Sequence, residues 1–303
     1  MASARPPSNG DNFDHKVNGT HFPSSRTAWR IGGTQTLCYA TLLTLAIIVI
    51  YPFITLILGS LKSEGEFFAN PVGFPKSFEW HNYADAWQQA HIAQFTINSA
   101  IVAAGTVILT LFCAGTASFA LSRFAFPGNR IIYLSFIILL TLPVQVYIIP
   151  LYVVVVKAKL ADNLLGLILC YTTGSLPLSV FLFKTYFDAI PGELMDSARL
   201  DGCSDWLTFT HVVLPLSRPI VATVSIFTFV QAWNEFFLAL IFIHSPERQT
   251  LPLGLQAFFV NQFQTQFPEL FATLTISIAP IVIVYLLLQR QFIAGLTAGA
   301  VKG

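Results

Sequence analysis

Long stretches of this chain carry no charge. No Asp, Glu, Lys or Arg occurs from Ile31 to Leu61, Ala86 to Ser122, Ile131 to Val156, Asn163 to Phe183 or Leu270 to Gln289, and Pro219 to Pro246 is interrupted only by Glu235. Each run holds the roughly 20 apolar residues that cross a hydrocarbon core of about 30 Å. A helix satisfies all its backbone groups internally, so the pattern predicts six transmembrane helices near 37–59, 96–121, 131–156, 164–187, 219–243 and 270–288. The first span begins more than 30 residues into the chain and exceeds the h-region of a cleaved signal, so it is read as an anchor. Pro143, Pro150, Pro177 and Pro280 fall inside the spans and predict kinks.

Composition agrees with a lipid environment. Of 303 residues, 54% are apolar and 10% are charged, where an average soluble domain has about 25% charged. The net charge of +1 gives no reason to expect a nucleic-acid partner. Cys38, Cys113, Cys170 and Cys203 show neither disulfide nor metal spacing, and the six His are scattered with no pair at i, i+4, so neither a metal site nor a catalytic constellation is expected.

Lys and Arg set the orientation. Eleven fall on one side, in the N-terminal tail, at Arg123 and Arg130, at Lys184, Arg199 and Arg218, and at Arg290 and Lys302, while Lys62, Lys76, Lys157, Lys159 and Arg248 make five on the other. The richer side is read as cytoplasmic, which places both termini there. Of the outer loops, Ser60 to Phe95 contains Trp80, Tyr83 and Trp87, aromatics that suit a membrane-surface belt, with a short interfacial helix over 82–87, and His244 to Glu269 is rich in Gln and Phe.

The most specific segment is the cytoplasmic stretch from Asp188 to Arg218. Pro191 suits a first helical turn, and Glu193 and Asp196 complement its positive end. Met195, Ala198, Gly202, Trp206 and Phe209 recur at helical intervals and predict one apolar face, with Leu214-Pro215 stopping the helix. The opposite face carries Asp196, Asp201 and Asp205 where a lipid-surface helix would carry Lys and Arg, so a partner's groove is expected to receive the apolar face.

Asp196-Ser197-Ala198, Gly202, Val212 and Leu214-Pro215 follow, without a gap, the spacing E-A-A-x3-G-x9-I-x-L-P. This resembles the EAA loop of the permease subunits of binding-protein-dependent ATP-binding-cassette importers, with Asp196, Ser197 and Val212 as conservative departures. Ile190-Pro191, Trp233-Asn234-Glu235-Phe236 and the terminal run from Gly295 to Gly303 are similar to the carbohydrate branch, close to the maltose-type second permease. The resemblance implies an all-α, polytopic membrane protein of six spans with a cytoplasmic coupling loop. With the Ser-, Asn-, Pro- and Gly-rich cytoplasmic tail (1–30) read from its composition as disordered, the chain divides further into the first span and outer loop (31–95), the importer core (96–289) with its loop at 188–218, and a C-terminal tail (290–303). The resemblance also implies a second permease subunit, two ATPase subunits docked on the EAA loop, an extracytoplasmic binding protein and a sugar or related small polar solute, all at the cell's inner membrane. No Gly-x4-Gly-Lys-Ser/Thr loop occurs, so no cofactor is expected in this chain and ATP is expected on the partner subunits.

Glu235 is the one acid well inside a predicted span, where charge is costly and function is the default expectation. On a continuous helix Gln231 and Glu235 share a face, with Asn234 adjacent, and these three are candidates for a translocation pathway. The rival is an ion-coupled secondary transporter or channel using Glu235, which would call for inverted repeats and more intramembrane polar groups than the sequence has.

Overall fold

The computed structural model describes residues 33–89, 91–262 and 266–300; the tail read as disordered and residues 301–303 lie outside the described residues. Contacts divide the chain into a unit ending at Ile50 and a second beginning at Tyr51. The described part of the first is the leading stretch of α1 (Gly33–Ser60), apolar and with every side chain from Gln35 to Ile50 exposed, as suits a helix solvated by lipid.

The second unit continues with α2 (Glu64–Ala69), α3 (His81–Gln89), α4 (Ile92–Arg123), α5 (Asn129–Leu139), α6 (Val144–Lys157) and α7 (Leu164–Asp188). Then come α8 (Glu193–Leu200), α9 (Asp205–Leu216), α10 (Arg218–Asn234), α11 (Phe237–Phe242), α12 (Leu251–Gln262) and α13 (Phe267–Ala300). Among the described residues there is no strand. Four helices, in α1, α4, α7 and α13, cross a membrane by length and composition, and two bent pairs raise the number to six.

Two of the expected spans are corrected. The third is not one helix over 131–156: α5 and α6 meet at 108°, because Pro143 takes an extended ψ of 144° and pushes Leu142 away from continued helix. Pro150, Pro177 and Pro280, by contrast, lie inside uninterrupted helices. The fifth, expected over 219–243, ends at Asn234, since Glu235 is extended at φ −71°, ψ 124° and the chain restarts as α11.

α4 and α7 form the centre. They pack against each other, and both bury small hydroxyl residues, Thr106, Thr110 and Ser118 on one and Thr172, Ser175 and Ser179 on the other. Ser118 donates its hydroxyl hydrogen to the Val180 carbonyl at 3.1 Å. α10 packs on this pair and on α13, to which Trp233 donates an indole hydrogen bond at the Ser277 carbonyl. The expected interfacial helix appears as α3, whose loop is a built cap. The buried Lys62 ammonium donates to the Asn70 and Pro71 carbonyls at 2.6 and 3.1 Å, and the Phe67 ring stacks on Phe267 with centroids 5.6 Å apart.

Candidate functional site

The loop between α7 and α10 is two short helices joined by a tight turn. α8 closes on Gly202 at φ +84°, where any other residue is strained; the Gly202 amide donates to the Arg199 carbonyl and the Cys203 amide to the Ala198 carbonyl, both at 3.0 Å. This doubly bonded αL stop satisfies the last carbonyls of α8. Nothing lies within 4 Å of a Cβ built on Gly202, so within this chain its backbone angle, and not crowding, calls for glycine. Two residues after Gly202, Ser204 starts α9, its hydroxyl accepting from the Leu207 amide. The Arg199 guanidinium spans the turn to Asp205 at 3.1 Å and Asp196 at 3.8 Å.

The turn resets the helical phase, and this overturns the expected apolar face. Met195 and Phe209 are 5% and 6% exposed, and Ala198 is equally buried. Met195 and Phe209 sit with Phe119, Phe183 and Phe187 in a cluster belonging to this chain's own spans. That face anchors the loop inward. Outward stand Leu200, 90% exposed, and Trp206, 57% exposed, with the polar Asp196 and Ser197 beside them on α8. Sequence reasoning missed Leu200 because it ran one helix through Gly202; Gly202 followed by Ser204-Asp205 was the available sign of a stop and a new cap.

Leu214-Pro215 does not stop the helix. Proline lacks an amide hydrogen and crowds the carbonyl four residues before it. The chain accommodates this with a π-helical turn over Phe209–Val213 that carries the half-buried Val212; the Leu214 amide donates back five residues to the Phe209 carbonyl. Leu214 and Pro215 are exposed and border a cavity of about 710 Å³ shared with Trp206 and Arg218. The break comes at the fully buried Ser217, where α9 and α10 meet at 81°. The base is tied by Arg123, which donates to the Phe187 carbonyl in the last turn of α7 and to the Ile190 carbonyl just past it. Gly202→Val is expected to destabilise the turn by about 1–2 kcal/mol through left-handed strain. Faster tryptic cleavage after Arg199 in membranes is the readout; parent-like cleavage would contradict it.

The second candidate cluster lies at the break after α10. Gln231 and Asn234 are exposed; Gln231 accepts at 3.3 Å from the Ser175 hydroxyl, and Asn234 donates to the Val230 carbonyl at 2.8 Å. Glu235 does not share a helical face with Gln231, since the helix has ended. Its carboxylate accepts from the amides of Leu238 and Ala239 at 2.8 and 3.2 Å, and so caps α11. Among the described residues no group of His, Cys, Asp and Glu is arranged to hold a metal ion.

Residues 106–297, more than half the chain, match the family described as "Binding-protein-dependent transport system inner membrane component". The chain is 36% identical to the probable ABC transporter permease protein YurM of Bacillus subtilis, with 92% of this chain and 91% of that one covered. It is 32% identical to the diacetylchitobiose uptake system permease protein NgcG of Streptomyces coelicolor, with 88% of each covered. It is also 32% identical to the arabinooligosaccharides transport system permease protein AraQ of B. subtilis, with 86% and 92% covered. In fold it is similar to a chain from the crystal structure of a bacterial ABC transporter involved in the import of the acidic polysaccharide alginate. That likeness has a TM-score of 0.77 at 21% identity over 87% of this chain and 98% of the other.

Proposed function

The chain belongs to the family of inner-membrane components of binding-protein-dependent transport systems, and from this premise we propose that it is the permease subunit of an ATP-driven importer for an oligosaccharide or related small polar solute. Membership makes it an integral membrane transport component whose ATPase and binding protein are separate chains. The cargo class is supported by the sugar uptake systems to which NgcG and AraQ belong.

The observation that carries the mechanism is the loop's two-sided construction. Its inner face is continuous with the core of α4 and α7 through Met195, Phe209 and Val213, while Leu200 stands clear of that core and the part-exposed Trp206 covers it, its ring 5.7 Å from Phe209. Such an element transmits a push. A cytoplasmic ATPase closing on ATP moves Leu200 and Trp206, and the buried face carries the displacement into the spans as rigid-body motion. In this reading two ATPase subunits hold the ATP and a second permease subunit completes the pathway. The loop, with Arg123, Lys184 and Arg218 at the same ends of the spans, faces the cytoplasm, as do both termini.

Glu235 serves the pathway by fixing α11 at depth, with Gln231 and Asn234 exposed beside the break. Its two carboxylate oxygens are occupied by backbone amides, an arrangement that calls for no proton carrier and leaves the ion-coupled reading without support. The test is reconstitution with the cognate ATPase, second permease and binding protein in vesicles. Oligosaccharide uptake is expected to require ATP and binding protein and to persist when the proton gradient is collapsed. Uptake that follows the gradient without ATP would overturn the proposal.

A further inference from the structure

On the side opposite the coupling loop, the six-residue α11 is gripped at both ends. Glu235 caps its first turn, while at its last residue the Phe242 carbonyl accepts from the Asp162 amide at 2.8 Å. The Asp162 carboxylate then accepts from the amides of His244 and Ser245 at 3.0 and 2.9 Å, and from the Ser245 hydroxyl. Arg248 closes the ring, its guanidinium 3.1 Å from the carboxylate and also bonded to the Asp162 carbonyl. Asp162 sits 82 residues from His244, in the turn between α6 and α7.

That turn is itself built to hold a fixed shape. Lys159 and Asp162 both take positive φ, 57° and 53°, a conformation L-residues adopt at a cost and Asp tolerates better than most. Gly166 in the first turn of α7 lets the Leu160 carbonyl close in, since a Cβ there would lie 2.2 Å from that oxygen. The Tyr152 ring of α6 stacks on Phe242 with centroids 6.0 Å apart. From the other side the Asn98 side-chain amide donates to the Glu247 and Gln249 carbonyls, both at 2.9 Å, and the Ser99 hydroxyl accepts from the Leu251 amide at 2.8 Å.

We propose that Asp162 is a positioning residue that joins α11 and the segment after it to the outer ends of α6 and α7, so that these parts travel as one block through the transport cycle. The strained backbone, the occupied carboxylate and the ring stack all favour a permanent joint over one that opens at each turnover. The joint is also indifferent to ordinary pH. The Ser245 hydroxyl, then the Ser245 amide, hold the carboxyl down at about 2, with the His244 amide and the Arg248 charge acting in the same direction. A carboxyl depressed in the folded state contributes stability above its ordinary pKa and loses it as pH falls through about 2, far below any working range. The outward motion the importer needs must then occur at the borders of this block.

The inference rests on the importer reading, and the parent chain's ATP-driven uptake, measured alongside, tests that reading separately. The experiment is Asp162→Cys with Ser245→Cys, oxidised in membranes and checked for cross-linking by peptide mass mapping, in the assembled transporter. The reduced form lacks the Asp162 carboxylate, so cross-linked transporter is expected to take up at least as much as its reduced form. A loss of tenfold or more that reverses on reduction would show that the joint opens in the cycle and would overturn the proposal. Asp162→Ala and Asp162→Asn decide the same point without a cross-link. Ala is expected to lose at least fivefold in the ratio of binding-protein-stimulated to basal ATPase at unchanged membrane level, and Asn, whose carbonyl oxygen still accepts from both amides, to restore most of it. An Ala variant with the parent ratio would overturn it.

Discussion

Leu200→Asp is expected to abolish uptake, by at least tenfold, while the protein remains at normal level in the membrane. Leu200 is 90% exposed at the last turn of α8, so its replacement leaves no cavity and removes no internal contact. Its effect must come from the surface it meets. An Asp there places an unpaired charge in an apolar contact, and burying such a group without a partner is strongly unfavourable. Binding-protein-stimulated ATPase activity is expected to fall in parallel, because in the proposed mechanism the same contact links ATP closure to span motion. Ala198→Asp is the instructive contrast: Ala198 is buried against the chain's own core, so that variant is expected to fail earlier, in folding and membrane level. Parent-like uptake by Leu200→Asp, scored against immunoblotted membrane protein, would remove the outward face from the mechanism.

Replacing Glu235 separates a cap from a proton site. Glu235→Leu deprives the Leu238 and Ala239 amides of their acceptors at the break in the fifth span, each unmet donor costing about 1–3 kcal/mol. A hydrocarbon surround offers no water to replace the acceptors. Severe loss of folded transporter and of uptake is expected. Glu235→Gln keeps one accepting oxygen at nearly the same reach and cannot titrate, so substantial uptake is expected with the proton gradient collapsed and ATP maintained. Uptake by the parent that vanishes with the gradient, and by the Gln variant under all conditions, would establish proton coupling instead.

The spans were legible to different degrees, for a physical reason. Charge-free runs locate α4, α7 and α13 well because lipid solvation depends on side-chain polarity summed over some 20 residues. The same sum is blind to backbone torsion, so the third and fifth spans read as continuous although the chain turns at Pro143 and Glu235. At Pro143 the proline was a visible sign; at Glu235 the acid read as a pathway group because its role as a helix cap depends on a ψ no hydropathy window reports. In the loop, the motif spacing from Asp196 to Pro215 was readable at once. The face it presents was not, because Gly202 restarts the helical phase and turns Met195 and Phe209 inward. Asp162 left no local trace at all, since its partners His244, Ser245 and Arg248 come from the far end of the chain and only the fold brings them within reach.

The elbow at Ser217 turns this geometry into a crank. α9 runs from Asp205 to Leu216 and meets α10 at 81°, nearly square to it. At 1.5 Å of rise per residue such an arm is roughly 18 Å long. An arm set square to a shaft converts sideways travel at its tip into rotation of the shaft. A displacement of about 3 Å near Trp206 therefore corresponds to a twist of roughly 10° in α10, by the same helical dimensions. Ser217 at the hub is fully buried, and in the proposed mechanism it hands the twist to α10. On the proposed coupling the torque arrives at the far end of α10, at Gln231 and Asn234, where the polar break in the span begins.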